Sequence, residues 1–432
     1  MKQSYIQSIP KLIFVLSIIF LSIYFLRPPS AEENERIEQA LREKKLKNHL
    51  QNEKVAQQQQ HDELSRKLNK MITDKRTKDE QEAIDITRKI IAEQLKFRFY
   101  DSIPGSSIVH NAMRLKMFRQ QLECMTSRGD WVFDPTPRPI IKHKQDPLYG
   151  RCDREFVQQQ SWSPDMPDNF TVEEKWNFTR ESVKYVWKTP TECPMPKFDV
   201  SQACSMFSGK SFLLVGDILH FQLHELFLDY FSDDSVQCYG EISCKEHVLC
   251  DVDPNNNWKT SKMMFVRNDI ISLTKNASNV NKILEYPWLM KIRHFNVIII
   301  NKGHHWQNDV SFRKGLIDLM NYLRKGFPDI LIIYKATTLG HLNCQAAKKP
   351  LSSPPNATEL ESLPYHWGEI HRQNLIAREI VETAGGVFLD LESVMITRVD
   401  GHIGARDCLR WCIPGPMDVW LDFLFHIMKE LR

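Results

Sequence analysis

Arg398 to Trp420 reads RVDGHIGARDCLRWCIPGPMDVW. It gathers an acid (Asp407), a cation (Arg410), a histidine (His402) and two cysteines just ahead of the helical pattern that closes the chain, Asp418 to Leu431. Cys408 and Cys412 lie four apart, a poor geometry for bridging each other within a helix, so each is expected to reach a distant partner. Upstream, four short apolar runs punctuate the chain: SFLLVGD (Ser211 to Asp217), FNVIIINKG (Phe295 to Gly303), DILIIYKAT (Asp329 to Thr337) and GGVFLDL (Gly385 to Leu391). Runs of this kind suit parallel strands buried on both faces. Helical patterns at Val310 to Lys325 and Glu369 to Thr383 alternate with them. The alternation predicts an α/β fold with a doubly wound parallel sheet and ligands at the C-terminal ends of its strands.

The quoted segment closely resembles the C-terminal signature of the PC-esterase family, which includes the plant trichome birefringence-like polysaccharide O-acetyltransferases. In that family a DGH-containing stretch precedes D-C-x-H-[WY]-C-x-P-G. Other blocks resemble the family in the same order, from about Cys124 to the end: GDWVFDPTPR, PLYGRCD from Pro147, TECPMPKFD from Thr191, SGKSFLLVGDIL from Ser208, IIINKGHHW ending at Trp306 and KATTLGHLNC ending at Cys344. The resemblance implies an SGNH-hydrolase-like fold. It also implies a Ser-His-Asp unit in which Ser attacks an acetyl donor, His takes the proton and Asp orients His.

Only part of that unit is present. The acid is Asp407, but Ile218 stands at the nucleophile position of the G-D-S-L turn and Arg410 at the base position. Isoleucine has no nucleophilic atom, and a guanidinium does not deprotonate in proteins. Gly216, Asp217 and Leu219 keep the turn, Asn301 stands at an oxyanion-hole position, and Asp407 is expected to pair with Arg410. Gly303, His304 and His402 complete the candidate binding set. His220, His304, His305 and His402 are candidate substitutes for the lost groups, each also readable as an ordinary polar residue. Ser211 starts its strand, a strand length from the site, and Phe221 stands where active relatives usually carry Arg.

The N-terminus predicts location. Leu12 to Leu26, LIFVLSIIFLSIYFL, is an uncharged run preceded by Lys2 and Lys11 and followed by Arg27, Pro28 and Pro29. It reads as an uncleaved signal-anchor, with a cleaved signal peptide as the competing reading. The Lys residues argue for a cytoplasmic tail, residues 1–11, and a lumenal remainder in the Golgi or early secretory pathway. All ten cysteines follow the anchor, and an even count in an oxidising compartment reads as disulfides. Asn169, Asn177, Asn276 and Asn356 stand in N-x-[ST] form as glycosylation acceptors.

Residues 27–104 are expected to form a charged helical stem. Ala31 to Tyr100 lacks Gly, Pro, Cys and Trp and carries 14 acidic and 16 basic residues. A dimerising coiled coil is the alternative to a plain stalk. Residues 105–432 are expected to form the lumenal PC-esterase-like domain, with 105–205 a cysteine-containing entry module and 206–432 the esterase-like core. The formal net charge is +3, and no basic face interleaved with aromatics emerges, so nucleic acid is not an expected partner.

These readings converge on a glycan-directed membrane protein, catalytically impaired, that binds glycan or associates with an active relative. An active glycan O-acetyltransferase with a noncanonical nucleophile, using an acetyl donor, is the alternative within the enzyme class. Asp251, Val252 and Asp253 would fit a third reading, a metal-dependent glycosyltransferase. The family reading calls for no cofactor and no metal.

Overall fold

Five parallel strands make the centre of the sheet: β1 (Ser211–Gly216), β2 (Ser261–Arg267), β3 (Val297–Ile300), β4 (Leu331–Lys335) and β5 (Val387–Leu389). The structure is a computed structural model that describes residues 30–141, 143, 152, 171–177, 179–232, 237–250, 259–280, 282–404 and 407–432. The strands lie in the order β5-β4-β3-β1-β2, every neighbouring pair parallel. Short antiparallel strands at Ser243–Cys244 and His247–Leu249 pair with β2 and make the sheet mixed. The four strands expected from apolar runs are all present. β2 was not expected: its apolar run is only Met263 to Val266, bounded by Lys262, which is exposed, and Arg267.

Period-two alternation along the strands feeds two cores. On one face Phe212, Leu214, Ile299 and Ile333 pack with α3 (Ile218–Phe231) and α6 (Val419–Glu430). On the other, Leu213, Val215, Ile298 and Ile332 pack with α4 (Asp309–Gly326) and α5 (Ile370–Thr383). Helices on both faces explain why these strands read as apolar throughout. β1 sits between β2 and β3, so the chain leaves it in one direction and returns on the other side. This places the topological switch point at the C-terminal ends of β1 and β3, where open α/β sheets bind ligands.

The long helix α1 (Ala31–Gln94), followed in the chain by α2 (Ala112–Ser127), belongs to two compact units, Met1–Lys70 and Met71–Arg432. In the first, Leu41, Leu46, Leu64 and Leu68 are exposed. In the second, Ala83, Ile91 and Leu95 are buried in the α4 and α5 core, and the Arg76 guanidinium donates to the Gly368 carbonyl at 2.7 Å. The compact unit that carries the sheet thus includes the end of α1 from Met71 onward. One helix carries both a solvated stretch and a packed one, and high charge conceals the second. Among the described residues no helix is long and apolar enough to cross a membrane, and Leu12 to Leu26 lies outside them.

Five disulfides account for all ten cysteines: Cys124–Cys193, Cys152–Cys412, Cys204–Cys250, Cys238–Cys244 and Cys344–Cys408. Cys408 and Cys412 each reach a distant partner, as their spacing predicts. Asn177 and Asn276 are exposed, Asn356 caps the short helix Ala357–Glu361, and Asn169 lies outside the described residues.

Candidate functional site

The chain turns sharply after Gly216, and Asp217 caps α3 by accepting a hydrogen bond from the Leu219 amide at 3.1 Å. A Cβ on Gly216 would collide with Asn301 and His220, and one on Gly303 would meet Asp217. The two glycines therefore let the β1 and β3 turns approach each other. Asp217 accepts from the His304 ring at 2.8 Å, and the second ring nitrogen of His304 faces the Thr338 carbonyl at 2.6 Å. Gly216, Asp217, Asn301, Gly303 and His304 thus converge at the switch point.

The electrostatics of this cluster are unusual. Burial alone would raise the Asp217 carboxyl, yet the His304 hydrogen bond and charge, with Lys335 and His220, hold it well below the usual carboxylate range. Burial pushes Lys335 down to about 8 against the attraction of Asp217. Lys302 is likewise pushed to about 8 by burial, and its ammonium donates to the Gly303 and His305 carbonyls at 3.0 Å each. The Asn301 carboxamide nitrogen donates to the Lys302 carbonyl at 3.0 Å and lies 3.4 Å from the Asp217 carboxylate.

Ile218 is buried in the first turn of α3. One turn on, the Gln222 carboxamide exchanges two hydrogen bonds with the Trp411 backbone, 2.7 and 3.1 Å, bringing the C-terminal signature against α3. There the expected ion pair forms: Arg410 donates to Asp407 at 2.8 Å. The same guanidinium also reaches both oxygens of Glu241 at 3.1 and 3.2 Å. Glu241 in turn lies 3.6 Å from Arg267, which donates to Asp269 at 2.8 Å. Asp407, Arg410, Glu241, Arg267 and Asp269 therefore form an alternating chain of charges.

His402 is not part of the Asp217 and His304 pair. Its ring lies 2.7 Å from the His341 ring and stacks on Trp411, with centroids 3.9 Å apart. Burial first, then the neighbouring His341, push its imidazole well below the ordinary histidine value. His220 is fully buried and likewise pushed down by burial, so it is a core histidine. His305 is partly exposed, 3.5 Å from Asp269. Phe221 packs against Phe265.

Sequence reasoning missed Glu241, Asp269 and Lys335. Lys335 lay inside a recognised strand, whereas Glu241 is 169 residues from Arg410 and carries no local signal. Among the described residues, the group close enough to hold a metal is His224, Cys238 and Cys244, and its cysteines are already bonded to each other. The acidic triplet at Asp251 to Asp253 lies outside the described residues.

Comparison with known proteins gives the same lineage. No family model matches the chain. Xyloglucan O-acetyltransferase 2 of Arabidopsis thaliana is 22% identical over 369 residues, 72% of this chain and 84% of that protein. Xyloglucan O-acetyltransferase 4 of Populus trichocarpa is 22% identical over 308 residues, 58% of this chain and 72% of its own length. Trichome birefringence-like protein 20 of Arabidopsis thaliana is 24% identical over 389 residues, covering 71% and 72%. The chain is an α/β protein built around a parallel-dominated sheet, with its candidate site at the switch point. Within that class its similarity is to xyloglucan O-acetyltransferases and trichome birefringence-like proteins, the PC-esterase lineage that its sequence blocks resemble.

Proposed function

We propose that this protein is a catalytically impaired, SGNH-like member of the polysaccharide O-acetyltransferase lineage that binds glycan without turning it over. The reading rests on one observation: the nucleophile position is a buried isoleucine, and the base position is an arginine held by Asp407 and Glu241. Most groups that could substitute are poorly placed: Lys335, Thr338, His220 and His402 are buried, and both ring nitrogens of His304 already face acceptors. The partly exposed His305 lies 3.5 Å from Asp269, and an active O-acetyltransferase would have to work through it or uncover one of the others.

The location belongs to the same reading. The apolar run Leu12 to Leu26 behind Lys2 and Lys11, together with five disulfides, supports a single-pass type II protein with its domain in the lumen of the early secretory pathway. The test uses full-length, detergent-solubilised protein incubated with neutral oligosaccharides and an acetyl donor. Binding by calorimetry without acetylated product by mass spectrometry is expected. Acetylated product at enzymatic rates would overturn the proposal.

A further inference from the structure

Tyr365 and His366 are consecutive non-glycine residues in the left-handed region, with φ 58° and 61°. Such a conformation is strained for residues with a Cβ and persists only where its surroundings enforce it. Those surroundings are visible. Pro364 precedes the pair, Trp367 is buried behind it, a Cβ on Gly368 would meet the Leu360 carbonyl, and Arg76 anchors the Gly368 carbonyl at 2.7 Å. What the strained turn achieves is display. Tyr365 is 74% exposed, and the exposed His366 lies 5.1 Å from the ring of Trp306, itself 50% exposed.

These rings form a track leading from the site. The Trp367 ring lies 6.1 Å from His304, the partner of Asp217, and 5.6 Å from Tyr365. Tyr365 and His366 also line a cavity of about 690 Å³, a size suited to several linked small units. Three bases and four acids line it, among them Arg372, Glu369, Arg76 and Glu80, so it presents hydrogen-bonding groups with almost no net sign. A polyanion or polycation would gain little there. An uncharged polyhydroxyl chain would use both features, laying its C–H faces on the rings and its hydroxyls against the paired charges.

We infer that Trp306 and Tyr365 form a stacking subsite for a neutral glycan chain, with the adjoining cavity holding the next units. The inference rests on the glycan-binding reading above and specifies where binding occurs. Both side chains are exposed, so their replacement leaves the fold intact, which thermal melting checks.

The experiment titrates full-length protein with cellohexaose, xylohexaose and mannohexaose, with hexagalacturonate as the charged comparison. It follows calorimetric heat and tryptophan fluorescence. The wild type should bind at least one neutral hexasaccharide more tightly than the galacturonate. Trp306→Ala and Tyr365→Ala should each weaken that binding about fivefold or more, the scale of one lost stacking contact. Trp306→Phe, which keeps a ring, should restore most of it. Wild-type binding that both alanine variants leave unchanged overturns the subsite while the glycan reading stands. Preference for the galacturonate overturns the neutral-chain assignment. No binding of any hexasaccharide by the wild type overturns the subsite and the glycan reading together.

Discussion

Lys335 ends β4 with its ammonium inside the domain, 4.4 Å from the centre of the Trp420 ring. Burial pushes its pKa down to about 8, below the ordinary lysine value of 10.5. For a base this means that the charged form is disfavoured on folding. The cost is fully present below about pH 8 and relieved as pH rises toward the unfolded value, so this residue makes stability increase with pH over that window. The ammonium has no hydrogen-bond partner among the described residues, and Asp217 already has His304 and the Leu219 amide. Lys335→Met should therefore stabilise the domain at pH 7, by up to about 3 kcal/mol, the full equivalent of the shift. The gain should shrink between pH 8 and 10, as followed by urea unfolding across pH. A loss of stability at pH 7 would mean that Asp217 depends on this charge.

At the scale of elements, the disulfides differ in the loops they close. Cys152–Cys412 spans 260 residues and ties the entry module to the C-terminal signature, whereas Cys238–Cys244 spans 6 within one hairpin. Loop-closure entropy makes the first worth roughly 5.5 kcal/mol and the second roughly 2 kcal/mol. Cys412→Ser should accordingly lower yield and melting temperature more than Cys244→Ser, and alkylation of the native wild type under non-reducing conditions should label none of the ten. Elements were legible in the sequence where one physical cause dominated. β1, β3, β4 and β5 are buried on both faces and announce themselves as apolar runs. β2 is not, because Lys262 reaches solvent from an outer strand of the parallel set. The turn at Gly216 and Asp217 was readable from its motif, as was the Asp407–Arg410 pair, three residues apart. Glu241 and the left-handed Tyr365–His366 turn were not, since long-range pairing and enforced backbone strain leave no trace in local pattern. The last turns of α1 were hidden for another reason: their charged residues, such as Arg88 with Glu379 at 2.8 Å, serve packing and solvation at once.

For the whole molecule, the proposed topology and the proposed loss of catalysis are separate claims with separate tests. If Leu12 to Leu26 is retained as an anchor, the protein should stay in the membrane pellet after carbonate extraction. It should also shift in mass when glycosidase removes N-linked glycans from sites among Asn169, Asn177, Asn276 and Asn356. Release as a soluble, unglycosylated species would contradict that topology. The proposed loss of catalysis has a sharper test, because the fold around Ile218 and Arg410 is intact: Asp407 pairs with Arg410, the turn at Gly216 is formed, and Gln222 holds the signature against α3. Ile218→Ser removes a buried apolar group at a cost of roughly 2–4 kcal/mol. Arg410→His gives up half-buried ion pairs worth about 1 kcal/mol, so a domain stapled by five disulfides should still fold. Triad members are strongly non-additive, so neither single change should restore chemistry. The decisive measurement is acetyl-ester hydrolysis and acetyl transfer by the wild type, Ile218→Ser, Arg410→His and the double variant, assayed side by side. The wild type and both single variants should remain at background, and the double variant should rise at least about tenfold, still far below an intact triad. A wild type as active as the double variant would mean that Ile218 and Arg410 do not occupy the catalytic positions.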